Sequence, residues 1–126
     1  MKNNIQGHDW LVKAILFLII VFQCGCGNPL QKSIARGNEK KVAAHLKKNK
    51  DLNQTFRNGT TPLTWATIYK HKPIIDMLLN RGADINRGDT YLGYTALLAA
   101  TRRNNLEISQ HLLEKGAYVD CRAFGF

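Results

Sequence analysis

The sequence predicts an all-α fold, a solenoid of about three helix-turn-helix repeats joined by short hairpin loops. An opening phrase recurs at intervals of 33 and 34 residues, and a closing phrase recurs at the same intervals. The opening phrases are residues 28–30, 61–63 and 95–97, and the closing phrases are residues 49–53, 82–86 and 116–120. Such a fixed period indicates one supersecondary unit stacked on copies of itself, which favours binding through an extended surface over catalysis in a pocket.

Each opening phrase carries the residue types that start a helix. A side-chain oxygen there can accept a hydrogen bond from the first unpaired amides, and this role is expected for Asn28, Thr61 and Thr95. Pro29 and Pro62 follow directly, at the first helical position, where a missing N–H costs nothing. These residues therefore predict the start of the first helix in each repeat.

Each closing phrase carries residues that end a helix. Gly82 and Gly116 suit the left-handed conformation that closes a helix, and Asn49 is the next most tolerant residue at that position. In the middle repeat the first helix is predicted over residues 62–69 and the second over residues 73–80, because Pro73 breaks one long helix but fits the start of another.

Apolar spacing supports two packed helices in each repeat. In the second helix of the middle repeat, a stripe at i, i+1, i+4 and i+5 is formed by Ile74, Ile75, Leu78 and Leu79. The first repeat supplies only Val42 and Leu46, so it is predicted to act as the polar terminal cap that such stacks need. Ile108 and Leu112 continue the stripe in the third repeat, and they are expected to be partly open because no helix pair follows them.

These phrases resemble the ankyrin repeat. Residues 61–66 resemble its TPLHxA opening, and residues 78–86 resemble its LLxxGADxN close. The resemblance covers residues 28–126, divided into repeats 28–60, 61–94 and 95–126, of which the last is expected to be truncated. It departs from the family where His is usual, at Gln31, Thr64 and Leu98. The resemblance implies a non-catalytic protein-protein interaction module without cofactor or metal.

The resemblance also implies where a partner binds, since first helices and hairpin loops line the concave face of an ankyrin stack. Aromatic residues and arginines dominate interface hot spots, so the predicted protein-binding residues are Trp65, Ile68, Tyr69, Tyr91, Tyr94, Arg102 and Arg103. Further first-helix and loop positions expected on this face are Lys32, Ala35, Arg36, Ala99, Phe56, Arg57 and Asp89. Packing between neighbouring helices is the alternative role for Trp65 and Ile68.

An apolar N-terminal segment precedes the repeats. Nine apolar residues, 14–22, follow Lys2 and Lys13. A bilayer-spanning helix needs about 20 apolar residues, so this run is short for a span and fits the h-region of a secretory signal. Residues 1–25 are therefore predicted to be a signal peptide or a membrane anchor that contains a hydrophobic helix.

The cysteines after this run resemble the bacterial lipoprotein signal. Cys26 follows the small Gly25 and is the predicted lipidation site, with Cys24 second. Plain cleavage and an uncleaved single-pass anchor are the alternatives. The predicted location is therefore a membrane, on the cell-envelope or periplasmic side of a bacterium, with a single-pass membrane protein as the alternative.

Charge narrows the class of partner. The chain carries 18 Lys and Arg against 9 Asp and Glu, a net charge of +9. No helix-turn-helix, zinc-finger or RNA-binding signature accompanies this charge, so nucleic acid is not the expected partner. The expected partner is instead a protein, possible partners including an acidic one that the positive charge would attract. The alternative function is a membrane-surface role in which the basic first repeat contacts anionic lipid without a specific protein partner.

The sequence does not predict an enzyme. It shows no carboxylate pair, nucleophile elbow or Gly-rich phosphate loop. The four histidines are scattered along the chain at His8, His45, His71 and His111.

Overall fold

The computed structural model describes residues 11–16, 28–49 and 51–119, and the helices in these ranges form three pairs in chain order. The first pair is α1 (Pro29–Ala35) and α2 (Glu39–Lys48), the second is α3 (Pro62–Ile68) and α4 (Lys72–Asn80), and the third is α5 (Ala96–Arg102) and α6 (Leu106–Glu114). Residues 11–16 are also helical, and the described residues contain no strand. The predicted all-α stack of helix pairs is confirmed.

The predicted start of each first helix is confirmed by its hydrogen bond. The Asn28 side chain accepts from the Leu30 amide at 2.9 Å, Thr61 from the Thr64 amide at 3.2 Å, and Thr95 from the Leu98 amide at 3.3 Å. The predicted helix bounds are nearly right: α3 ends one residue early, because Tyr69 is its C-cap, and α4 begins at Lys72.

The second helices begin with caps that the opening phrases did not reveal. The Asn38 side chain accepts from the Lys41 amide at 3.1 Å, and the Asn105 side chain accepts from the Ile108 amide at 3.2 Å. At the other end, Gly82 has a φ of +93°, the left-handed conformation predicted for it. Asn49 differs, since its backbone is extended with a φ of −107°.

The position before each second-helix cap is left-handed in all three repeats. It holds Gly37, Lys70 and Asn104, whose φ angles are +66°, +60° and +53°. The left-handed region is unfavourable for a side chain such as that of Lys70. The tight turn between paired helices therefore imposes this conformation whichever residue occupies the position.

The core runs continuously between the two layers of helices. Ile34, Val42, Ile74, Leu78 and Leu112 are each fully buried, with relative exposures of 0%. The first helices pack more closely on one another than the second helices do. α1, α3 and α5 therefore form one layer of the stack, and α2, α4 and α6 form the other.

The third repeat corrects one expectation. Ile108 and Leu112 are buried, at 2% and 0% exposure, because α5 of their own repeat covers them. At the last helix pair that the structure describes, Leu98 and Leu113 border a groove of about 170 Å³. In the preceding repeat the position equivalent to Leu98 is Thr64, which is only 1% exposed. The side chains left open are therefore those that a neighbouring first helix covers elsewhere in the stack.

A hydroxyl group at Thr64 fills part of the role expected of a histidine. Thr64 Oγ1 accepts a hydrogen bond from Thr61 Oγ1 at 3.0 Å, while the same Thr61 oxygen caps α3. The departure from the family pattern therefore leaves a smaller polar link in this repeat.

Most of the residues predicted to attach the chain to a membrane lie outside the part that the structure describes. The predicted lipidation sites Cys26 and Cys24, and most of residues 1–25, lie outside the described ranges. Among the residues that are described, no helix has the length and apolar character needed to cross a bilayer.

Candidate protein-binding surface

The predicted binding residues fall on the first-helix layer and on the loop that precedes α5. Ile68 lies on α3 and is partly buried, Arg102 lies on α5, and Arg103 follows α5 as its C-cap. Both arginines are exposed to solvent. The stack thus brings residues from two repeats onto one side of the molecule, although they are more than 30 positions apart in the sequence.

Trp65 both joins two repeats and contributes to the surface. Its indole Nε1–H donates to the carbonyl oxygen of Gln31 in the first repeat at 3.2 Å. Its ring also contacts Phe56 edge-on, with centroids 6.4 Å apart, and Tyr69, with centroids 5.1 Å apart. Trp65 is partly buried, so both roles considered for it, packing and surface contact, are compatible with its position.

Tyr69 is the exposed end of this aromatic row. Its side chain is 43% exposed, and its ring lies parallel to the His71 imidazole with centroids 6.4 Å apart and an interplanar angle of 5°. His71 is itself fixed, because its Nε2 lies 3.2 Å from the Ala35 carbonyl oxygen of the first repeat. Two neighbouring rings therefore restrict the Tyr69 side chain, so a partner would bind it with a smaller loss of side-chain entropy.

Tyr94 and Arg102 form a second cluster on the third repeat. The Arg102 guanidinium carbon lies 5.2 Å from the centroid of the Tyr94 ring, a cation–π distance. Asp89 shapes the loop before Tyr94, since its carboxylate accepts from the Leu92 amide at 2.7 Å and the Tyr94 amide at 3.2 Å. The loop therefore presents an aromatic ring on which the arginine of α5 is already placed.

Tyr91 stands at the tip of the same loop and is 71% exposed. Its ring lies directly over Gly59 of the preceding loop, where an added Cβ would be 2.5 Å from the ring. The Thr90 amide also donates to the Gly59 carbonyl oxygen at 3.0 Å. Neighbouring loops thus support each other, and Gly59 is required because it lacks a side chain.

Two of the further positions expected on this surface are buried instead. Phe56 is 4% exposed because it packs edge-on against Trp65, and Ala99 is 5% exposed on α5. Both expectations were wrong. The repeat spacing assigns each residue to a helix or a loop, but it does not show how far neighbouring side chains bury that residue. Lys32 and Ala35 are partly buried, while Arg36 and Arg57 are exposed.

A hydrogen bond that the sequence analysis did not anticipate recurs between closing phrases. The Asn53 side chain accepts from the Asp84 amide of the next repeat at 2.8 Å, and the Asn86 side chain accepts from the Tyr118 amide at 2.8 Å. The recurrence of Asn at this point of the closing phrase was the available signal. These bonds fix the loops relative to one another, and hence the loop residues on the surface.

The first-helix layer is basic. The sequences of α1, α3 and α5 contain no acidic residue, whereas Lys32 and Arg102 lie on them. The ion pairs between repeats lie on the second helices instead, with Lys72 Nζ 3.2 Å from Glu107 and His111 Nε2 2.6 Å from Asp76. Within the three first helices, charge is therefore only positive, whereas the second helices carry both signs.

No metal-binding site is evident in the part of the chain that the structure describes. Residues 11–16, 28–49 and 51–119 contain no cluster of three or more His, Cys, Asp or Glu side chains that could hold a metal ion. What these residues do form is a polar and aromatic surface spread over several repeats.

The stacked helix pairs and the loops between them define a helical-repeat protein, a class whose members bind other proteins. The family profile for ankyrin repeats, in three copies, matches residues 4–89 and 33–123. The chain belongs to the ankyrin repeat family, and its repeats form a protein-protein interaction module. The first of these matches begins well before residue 28 and includes the apolar N-terminal segment.

Several characterised proteins share these repeats. The chain is 41% identical over 72 residues to ankyrin repeat and SAM domain-containing protein 6 of Mus musculus, covering 57% of this chain and 8% of that protein. It is 36% identical over 74 residues to a putative ankyrin repeat protein of fowlpox virus, covering 57% and 22%. It is 41% identical over 59 residues to an E3 ubiquitin-protein ligase of Arabidopsis thaliana, covering 47% and 11%. The chain thus corresponds to a small part of each relative.

Proposed function

We propose that this chain is a non-catalytic binding module whose partner is an acidic protein segment, held across the first-helix layer and the loop before α5. The observation that carries the proposal is the pre-positioned aromatic and basic surface: Tyr69 held between Trp65 and His71, beside the Tyr94–Arg102 pair on the next repeat. Tyr, Trp and Arg are the side chains that contribute most to binding energy at interfaces.

A paired comparison of variants tests this proposal. Tyr69→Ser with Arg102→Ala removes one exposed aromatic ring and one exposed guanidinium from the surface. Tyr118→Ser with Arg81→Ala removes the same groups elsewhere, since Tyr118 is 72% exposed beyond the last helix and Arg81 is the exposed C-cap of α4. Each protein is immobilised, and the proteins captured from a lysate of the source cells are identified by quantitative mass spectrometry.

The expected result is a set of proteins retained by the native chain and by the control pair, and depleted about tenfold or more by the surface pair, the equivalent of about 1.4 kcal/mol or more. Far-UV circular dichroism must show the same helix content for all three proteins. Equal retention by the surface pair and the native chain would overturn the proposal, because the partner would then bind elsewhere.

We further propose that the module is exported and tethered to a membrane through lipid on Cys26. The support is the sequence alone: the apolar run 14–22, and Gly25 directly before the cysteine. Asn28, which caps α1, comes two residues after Cys26, so a lipid there would hold the first repeat against the headgroups. A single acyl chain anchors only marginally, and a second attraction is needed for stable attachment.

The basic second helix of the first repeat could provide this second attraction. Lys40, Lys41, Lys47 and Lys48 are all exposed on α2. Each such side chain near an anionic bilayer contributes about 1 kcal/mol. This is also the observation that favours the alternative function, a membrane-surface protein without a specific protein partner.

Mass spectrometry of the protein isolated from its source tests the anchoring proposal. A mature chain that begins at Cys26 and carries added acyl mass is the expected result, and Cys26→Ser should move the protein from the membrane fraction to the soluble fraction. A mature chain that retains residues 1–25 would contradict lipidation. It would favour an uncleaved anchor, or a further helical segment as the family match from residue 4 suggests.

A further inference from the structure

One exposed residue occupies the same structural position in all three repeats. Arg36, Tyr69 and Arg103 are the C-caps of α1, α3 and α5, separated by 33 and 34 residues, and all three side chains are exposed. Since α1 packs on α3 and α3 packs on α5, these three residues form a row across the stack. We refer to it as the Arg–Tyr–Arg row.

The spacing of this row matches an extended polypeptide. Packed helices lie about 8–10 Å apart, so successive members of the row are about 10 Å apart and its two ends are about 20 Å apart. A polyproline II helix, an extended conformation, advances about 3.1 Å per residue with three residues per turn, so its side chains at every third position lie on one face. About three residues of such a ligand therefore correspond to one repeat, and about six to the whole row.

The two arginines in the row have unused charge. Within residues 11–16, 28–49 and 51–119, no carboxylate lies within ion-pair distance of Arg36 or Arg103, and the three first helices carry no acidic residue. A guanidinium binds a carboxylate through two parallel hydrogen bonds, which selects for that group and for its orientation. Tyr69 between them offers a ring already held by Trp65 and His71.

We propose that the partner segment binds in the polyproline II conformation across the repeats, with acidic side chains at positions i and i+6 on Arg36 and Arg103. An apolar or aromatic side chain at i+3 then lies on Tyr69. This inference rests on the proposed function and specifies the chemistry of its ligand. The ligand chain runs roughly perpendicular to the first helices, since the row does so.

The alternative that these arginines have a purely structural role can be tested with a control residue in the same chain. Cations at helix C-termini interact favourably with the helix dipole, and that would explain Arg36 and Arg103 without any ligand. Arg81 is the exposed C-cap of α4, a second helix, and has the same electrostatic role on the other layer. Arg81→Ala therefore removes the same charge from a helix end outside the row.

Two labelled peptides of identical composition test the inference by fluorescence anisotropy on the full chain. The spaced peptide has glutamates about six residues apart with leucine midway in a Gly/Ser background, and the clustered peptide has the two glutamates adjacent. The spaced peptide should bind up to about fivefold more tightly, because only it reaches both arginines. Exposed ion pairs are worth about 0.2–1 kcal/mol, so Arg36→Ala and Arg103→Ala should each weaken its binding up to about fivefold, and Arg81→Ala should not.

The outcomes separate this inference from the proposed function. Equal affinity for the two peptides, with both lost in Tyr69→Ser, would overturn the i, i+6 spacing while leaving the first-helix surface as the binding site. If Arg81→Ala and Arg36→Ala weakened binding equally, the arginines would act only through the net positive charge of the protein. That result would also overturn the i, i+6 spacing. Failure of the spaced peptide to bind at millimolar concentration would reject the ligand chemistry, whereas the proposed function is decided by the capture comparison.

Discussion

Two adjacent leucines on α6 provide a sharp test of how the stack is held together. Leu112 is 0% exposed, whereas its neighbour Leu113 is 46% exposed and borders the groove beside α5 and α6. Leu→Ala at a fully buried site costs about 2–5 kcal/mol through lost transfer energy and a residual cavity. At the half-exposed site the loss is about 1 kcal/mol or less, because full burial of a leucine is worth only about 1.5–3 kcal/mol.

The consequence for the whole chain follows from its small size. A domain of this kind is stable by about 5–15 kcal/mol, with a repeat array near the lower end. Since urea lowers stability by about 1–3 kcal/mol per molar, Leu112→Ala should lower the unfolding midpoint by roughly 1–2 M. Leu113→Ala should shift it by less than about 0.5 M. The midpoint is measured from helical circular dichroism during urea titration.

The refuting result is a similar midpoint shift for both variants. It would mean that α6 packs with a different face toward the core, and that the register of the third repeat described above is wrong. A large shift for Leu113→Ala alone would carry the same meaning. Because the two substitutions are identical and lie on one helix, differences in helix propensity cancel.

Three further stability changes are expected in the same titration. Gly59→Ala should destabilise by about 1–3 kcal/mol, since φ is +80° and the new Cβ would lie 2.5 Å from the Tyr91 ring. Asn53→Ala should cost about 1 kcal/mol, because the Asp84 amide loses its 2.8 Å acceptor in the neighbouring repeat. Thr95→Ala should cost about 1 kcal/mol through loss of the α5 cap, and Thr95→Ser should restore most of it.

Each of these predictions has a clear opposing outcome. Full stability of Gly59→Ala would show that Tyr91 does not rest on the preceding loop, and Gly59→Ala combined with Tyr91→Ala should recover only the steric part of the loss. An unchanged midpoint for Asn53→Ala would mean that water replaces the bond to Asp84. If Thr95→Ser were as unstable as Thr95→Ala, the hydroxyl group would not be the cap.

The sequence alone determined the local parts of this structure. Asn28, Thr61 and Thr95 cap helices whose amides lie two or three residues away, and Gly82 closes a helix by its own backbone conformation. Such interactions are set by residues close in the chain, so the periodic phrases were sufficient to predict them. The same phrases predicted the all-α stack and its division into helix pairs.

The tertiary structure decided which side chains are exposed and which are buried. The Trp65 indole bonds to Gln31 in the previous repeat, and the burial of Phe56 and Ala99 depends on neighbouring helices. These contacts join residues of successive repeats, and their geometry depends on how the helices of those repeats approach one another. A period read from the sequence gives the order of the repeats, but the closeness of their packing, and hence the surface left exposed, is a property of the folded stack.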